Sequence, residues 1–461
     1  MTNGKSDHSQ SSDKSRAQGS PTKDFFVRMI TRDITLADCI MDLVDNAVDG
    51  ARRTAKVEGR KNNVDYLKGF FVEINPTGSQ LSVNDNCGGI SLSDAINYAF
   101  HFGRKKDAPR DVETSIGLYG IGMKRAIFKI GRHASIESVT NTKGEHFTVI
   151  VDVDSWERKS EDWDFDIDES VTSTTVGTRI TIDKIYASIS SAFVDQSFIN
   201  GLIKTMARDY AFILKRGFEI RVRTEDGIKL VPKYDYKLKK DSDFSPGIIA
   251  YMDEGVHVRI ICGIANDLPN EIPDELRQEK AEYSGWYVIC NDRVVVAGDK
   301  TDLTVWGNND FPGWHPQYNG FAGFLFMSSE EDASKLPWKT TKREVDTSDL
   351  HYQRAITHMK SLTRQFIDYT NARKGDPETA KKKESQAASV SITEFKHEQV
   401  SMRLPSVNAK VSKEKTIQIS FSKPIEKVKK AADAMGDFSL SAREVGSKAF
   451  DYFYNLEVED K

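Results

Sequence analysis

A chain of 461 residues is long enough for two or three domains, each with its own core. Its formal net charge of -4 and pI near 6.2 exclude a globally basic nucleic-acid binder, though not a local basic patch. No apolar run approaches the ~20 residues that span a bilayer, and the N-terminus lacks the apolar core of a signal peptide. Four cysteines (Cys39, Cys87, Cys262, Cys290) without paired spacing fit a reducing compartment, so the expectation is a soluble, cytoplasmic protein.

Residues 1–21 are polar with almost no apolar content and read as a disordered tail. Order begins with an apolar stripe of Phe25, Phe26, Met29 and Ile30. Residues 38–53 read D-C-I-M-D-L-V-D-N-A-V-D-G-A-R-R, with Ile40, Leu43, Val44, Ala47 and Val48 at helical spacing. Asp38, Asp42, Asp45 and Asp49 fall along one side of that helix, where like charges repel. Two readings compete there: a solvated acidic face, or a nucleotide and metal site with Asn46 as a neutral oxygen ligand.

Two strand-like runs over 70–83 flank a Pro-Thr-Gly-Ser turn and lead into D-N-C-G-G-I-S at 85–91. Residues 91–102 read as a helix, and 103–115 as a charged loop. At 117–130 the chain reads G-L-Y-G-I-G-M-K-R-A-I-F-K-I, a glycine turn opening a helix. Strands follow at 134–139, 147–153 and 178–182, then a helix over 197–214. A strand-rich second region starts at 218 and ends in a helix over 348–370. The Lys, Glu, Ser and Ala of 373–390 read as a linker, and a small third region closes the chain.

Three of these stretches share one chemical logic. Glycines at a helix N-terminus let free N–H groups approach phosphate oxygens, and Gly117, Gly120 and Gly122 with Lys124 and Arg125 provide that pattern. It lacks the P-loop ending and does not follow the first strand, so neither a P-loop nor a dinucleotide fingerprint fits. Asp85 at a strand end can accept a hydrogen bond from an exocyclic amine, beside glycines that leave room for a flat base. Acid-x-x-x-Asn (Asp42 to Asn46), Asp-x-x-x-Gly (Asp85 to Gly89), Gly-x-x-Gly-x-Gly (117–122) and Gly177-Thr178 occur in that order. The set resembles the Bergerat-fold (GHKL) ATPases: gyrase B, the large heat-shock chaperones, histidine kinases, MutL and MORC proteins.

The resemblance implies an α+β fold. A two-layer α/β sandwich, the Bergerat ATP-binding fold, covers 22–216, and a β-α-β transducer domain covers 217–372. A linker (373–395) and a strand-helix-helix region (396–461) follow. It implies ATP and Mg²⁺ as ligands, with Asn46 on the metal and Asp85 reading adenine beside Thr178. Gly89, Gly117, Gly120, Ile121, Gly122 and Met123 would line the nucleotide, Lys124 would add charge, and 103–116 would be a lid. Asp42 would act as general base, with Asp45 the next candidate. Two residues depart from the family pattern: Asp42 where most hydrolytic members have Glu, and Cys87 for the first glycine of the second motif.

C-N-D-R-V-V at 290–295 looks like the strand-turn-strand of a transducer. L-P-W-K-T-T-K-R-E-V-D at 336–346 looks like the loop that sends a lysine to the γ-phosphate; alignment gives Lys342, with Lys339 its local rival. The alternating T-I-Q-I-S-F of 416–421 and two amphipathic helices, the second with a Ser441/Glu444 capping box, resemble a ribbon-helix-helix module. Residues 396–430 carry nine Lys/Arg against three Asp/Glu, which favours phosphate contacts, and dimerisation without DNA stands beside that reading. The function expected is an ATP-gated homodimeric clamp or switch on DNA or a protein partner. The alternatives are an ATP-sensing module with little turnover and a chaperone-like ATPase.

Overall fold

The computed structural model describes residue 19 and residues 21–60, 63–103, 116–117, 120–141, 145–159, 161–169, 175–265, 283–308, 311–396, 398–406, 417, 419–438 and 440–459. The expected tail (apart from 19 and 21) and the expected lid between 104 and 115 lie outside them. The chain divides into two compact units, residues 1–409 and 410–461.

The first half of the larger unit is built on an eight-stranded mixed sheet. Its strands are β1 Phe71–Pro76, β2 Leu81–Asp85, β3 Gly131–Val139, β4 His146–Asp152, β5 Ile167–Asp168, β6 Gly177–Ile185, β7 Glu219–Thr224 and β8 Gly227–Leu230. The order is β5-β4-β3-β6-β2-β1-β7-β8, antiparallel throughout except for the parallel β1–β7 pair. Burial alternates along β1 and β3 (Val72, Ile74; Ala134, Ile136), so one face of the sheet is covered. The helices follow as α1 Lys23–Arg32, α2 Leu36–Val57 and α3 Gly122–Ile130, with α2 packed against both α3 and β1. Thr35 caps α2 by accepting the Asp38 amide, and an unbroken apolar stripe from Ile40 to Ala55 buries its inner side. Residues 92–99 form a short helical segment as expected. Helix α4 Val153–Arg158 follows β4, and after β6 come α5 Ala187–Val194, α6 Gln196–Asp209 and α7 Ala211–Lys215.

The second half carries β9 Lys237–Lys239 and a five-stranded sheet: β10 Gly247–Asp253, β11 Val256–Ile264, β12 Gly285–Cys290, β13 Arg293–Asp299 and β14 Phe321–Ser328. The order is β10-β11-β14-β12-β13, with β12 and β14 parallel. Asn291 and Asp292 join β12 to β13 with φ of 47° and 63°, the two left-handed positions a tight hairpin of this twist demands. The long helix α8, Leu350–Ala372, packs on β10, β11 and β14.

Two expectations are corrected here. Residues 373–395 are not a linker: α9 (Pro377–Gln386) is capped by Asp376, and β15 (Ser389–Ser391) pairs with β9. The polar composition hid a buried Glu384, which accepts from Arg373 (3.0 Å) and Tyr369 (2.7 Å), so charge here points inward. Nor does the larger unit stop at 372, since Val400 and Arg403 bridge to Ile248 and Ser245. Residues 22–372 lie within one compact unit, with shared apolar packing from Val27 to Ala387.

In the smaller unit α10 spans Ile425–Ala434 and α11 spans Ala442–Tyr454, with the Ser441/Glu444 capping box formed. The described residues of the expected strand over 416–421, Ile417 and Ile419 to Phe421, are not in a strand. Ala432 and Val445 are buried, whereas Ile425, Phe438, Phe450, Tyr452 and Phe453 are exposed.

Candidate active site

The acidic side of α2 is not a solvated face. Asp42, Asp45 and Asp49 are buried, and the carboxylates are matched by cations from distant parts of the chain. Lys342 Nζ donates to Asp45 Oδ2 at 2.7 Å and to Asp42 Oδ1 at 3.2 Å. Arg125 Nη2 donates to Asp42 Oδ2 at 2.5 Å, and Arg293 lies 3.3 Å from both Asp45 and Asp209. Arg343 joins Asp38 to Asp209. Burial alone would raise the Asp45 carboxyl, but Lys342 and Arg293 beside it hold it below the usual carboxylate range. Asp45 also accepts from the Tyr210 hydroxyl at 2.7 Å, which leaves it fully engaged. Its rival status as a base is weakened by that engagement.

Asn46, within this row, is exposed. Two glycines of the turn approach this side of α2. A Cβ on Gly117 would stand 3.3 Å from Asn46 Oδ1 and 3.1 Å from Asp49 Oδ2, and one on Gly122 would stand 3.1 Å from the Asp42 carboxyl carbon. Asp49 holds the turn in place by accepting the Ile116 and Gly117 amides (2.7 Å from Gly117). Gly120 takes φ 64°, and α3 then opens at Gly122 with Ile121 as an N-cap that supplies no side-chain bond. The first-turn amides around Met123 thus have no capping side chain, the arrangement that accepts an anion. Lys124 goes elsewhere: it is buried and donates to the carbonyls of Ala99 (2.8 Å) and His101 (2.9 Å). Burial brings its ammonium down to about 7.

Asp85 ends β2. Its Oδ1 accepts the amides of Cys87 (2.8 Å) and Thr178 (3.3 Å). Gly177, at φ 137°, lies so close that a Cβ there would come within 1.9 Å of the Asp85 carbonyl, so only glycine lets β6 meet the carboxylate. Gly88 and Gly89 also take positive φ, and Gly89 abuts the Val139 carbonyl. Thr54 donates to the Cys87 carbonyl at 2.9 Å, which ties this turn to α2. Burial pushes the Asp85 carboxyl up to about 6, its bonds to Cys87 and Thr178 opposing the rise.

Asp85→Asn is expected to weaken adenine-nucleotide binding by about 10- to 150-fold, the worth of a hydrogen bond to a charged group. The Asn carbonyl must stay with the two amides, so its NH₂ would face the adenine amine. The wild type should also lose affinity as pH falls through about 6, because protonation removes the acceptor. Titration calorimetry at several pH values checks both: a pH dependence identical in wild type and Asp85→Asn would remove Asp85 from base recognition.

The loop that carries Lys342 brings this lysine, with φ 54°, to the acids of α2, while Lys339 pairs at the surface with Glu344. Thr54 was not singled out from the sequence. Asp49 was named only in the acidic row, and Arg125 only beside the glycine turn, neither with a role of its own. Arg293 stood within the run at 290–295, and its ion-pair partners are more than 80 positions away.

All four cysteines are free and buried, and among the described residues no helix is long and apolar enough to cross a membrane. Compared with curated proteins, the chain finds no match. Residues 34–178 match the family model of the histidine kinase-, DNA gyrase B-, and HSP90-like ATPases, a span that runs from the start of α2 through the glycine turn to Thr178. This part of the chain is a GHKL-type ATPase domain, of the class that binds and hydrolyses ATP.

Proposed function

We propose that the protein is a Mg²⁺-dependent ATPase of the MORC, MutL and heat-shock-chaperone branch, working as an ATP-gated dimeric clamp or switch on DNA or a protein partner. The observation that carries this reading is Lys342: a cation from beyond the ATPase domain lies against Asp42 and Asp45, beside the glycine turn. In this reading residues 217–372 act as a transducer. Added negative charge at the turn attracts Lys342 and so links nucleotide state to the second half of the unit.

Asp85 and Thr178 take the base, and Gly117, Gly120, Ile121, Gly122 and Met123 cradle the phosphates. Asn46 offers its amide oxygen to Mg²⁺. Among the described residues no group of three or more acids, histidines or cysteines is placed for a metal, so the ion would complete its shell with phosphate oxygens and water, as Mg²⁺ usually does. When bound, Mg²⁺ neutralises charge on the phosphates. Asp42 takes the proton of a water whose oxygen bonds to the γ-phosphorus, and the bridging oxygen leaves with ADP.

Dimerisation is supported by the exposed apolar side chains of 417–458, and DNA as a partner by the nine basic residues of 396–430. A second reading, an ATP sensor with little turnover, is favoured by one observation: both oxygens of the short Asp42 are held by cations. Phosphate release measured beside ATP affinity separates the two, with turnover expected. Solution mass should double with a non-hydrolysable ATP analogue, alone or with DNA. An unchanged mass under both conditions would rule out the clamp.

A further inference from the structure

Arg125 has no part in the reading above, yet it is placed where the chemistry would occur. It sits in the first turn of α3, is 5 % exposed, and spends one nitrogen on two acceptors. Nη2 donates to Asp42 Oδ2 at 2.5 Å and to the Thr340 carbonyl at 3.3 Å, while Nε has no partner among the described atoms. Asp42 is therefore gripped on both sides, Oδ2 by Arg125 and Oδ1 by Lys342.

The two grips differ in kind. Lys342 is a point charge on a flexible stem and has Asp45 as a second, closer partner. It can turn toward new negative charge without leaving a carboxylate wholly exposed to it. Arg125 is a planar fork on a helix, packed with a backbone carbonyl of the Lys342 loop on the same nitrogen. An apolar side chain would fill this buried place at a smaller desolvation cost, so a guanidinium here calls for a use. Asp42 supplies one. A carboxylate that is one methylene shorter than the usual glutamate must be held in a single rotation to meet a water.

We propose that Arg125 is a positioning residue for hydrolysis: it fixes Asp42 through Oδ2, and Oδ1 becomes the atom that meets the attacking water once Lys342 turns to the γ-phosphate. The inference rests on Asp42 being the base. Thr340 and Lys342 lie in one loop, so displacement of that loop is felt at Arg125 as well.

The test uses the full chain, with kcat and KM from phosphate release and affinity from a fluorescent non-hydrolysable ATP analogue. Arg125→Met is expected to lower kcat by about 100-fold, the size of effect a small misplacement of a reacting group produces. Analogue affinity should stay within about threefold, and Arg125→Lys should recover part of kcat. Placed in an Asp42→Asn background, Arg125→Met should cost nothing further, because residues acting as a unit are not additive. Unchanged kcat in Arg125→Met overturns the proposal, and so do losses that multiply in the double variant. Should Arg125→Met not fold by circular dichroism, Arg125→Gln carries the same cycle with the same outcomes. Failure of the underlying reading looks different: Asp42→Asn would then turn over ATP like the wild type, whatever Arg125 does.

Discussion

Asp42→Asn is expected to bind ATP and to release phosphate about 10²- to 10⁴-fold more slowly than the wild type, the usual weight of a general base. The amide keeps an oxygen for Arg125 or Lys342 and keeps the side-chain volume against Gly122, but it cannot accept a proton. Asp42→Ala should lose the same turnover and also stability, since Arg125 would be left with the Thr340 carbonyl alone. Nucleotide affinity should survive both changes because Asn46, Asp85 and the glycine turn are untouched. Turnover that survives Asp42→Asn would move the base elsewhere on α2. That outcome would leave Asp45 as the candidate to test, despite its three hydrogen-bonding partners.

Asp45→Ala carries the largest expected effect on the fold. Asp45 is 1 % exposed and accepts from Lys342, Arg293 and Tyr210, which belong to three other segments of the unit. Removing the carboxylate strands part of two buried cations, a loss of about 3–5 kcal/mol for a broken buried pair. Lys342 retains Asp42 and Arg293 retains Asp209, which keeps the figure from growing further. The pH dependence has a definite sign. Asp45 is held below its ordinary value of 3.8, so its contribution is present above about pH 4 and fades as pH falls through the lower folded value. Denaturant melts of wild type and variant should thus differ at neutral pH and converge in acid. A gap that persists unchanged in acid would mean that packing, not charge, sets the cost.

Elements whose residue types are dictated by their own backbone were legible in the sequence. Gly177 occupies a crowded position that no side chain tolerates, Gly120 a left-handed one that favours glycine, and α2 announces itself through its apolar spacing. The hairpin at Asn291 and Asp292 and the capping box at Ser441 were visible for the same local reason. The acidic row misled because burial of a charge depends on its partner. Lys342 lies 300 positions from Asp42, and Arg293 lies 248 from Asp45. Lys342 was reached only through resemblance to a loop; nothing in its neighbours requires it to be buried. Lys124 is the reverse case: a lysine beside a glycine turn suggests a phosphate, and only the fold shows it donating to two carbonyls of the segment at 99–101.

By itself, then, the sequence determined the ATPase domain: motifs at 42–46, 85–89, 117–122 and 177–178 whose spacing and residue types follow from local backbone geometry, and a family match over 34–178. Only the tertiary structure decided that the acids of α2 are a buried, paired network, and that the polar stretch after 372 belongs to the larger unit. It also decided that Arg125 shares the carboxylate of Asp42 with Lys342. The physical reason is common to all three. A helix period or a glycine turn is written within a few residues, whereas a charge has no fixed environment until other segments of the chain have folded against it.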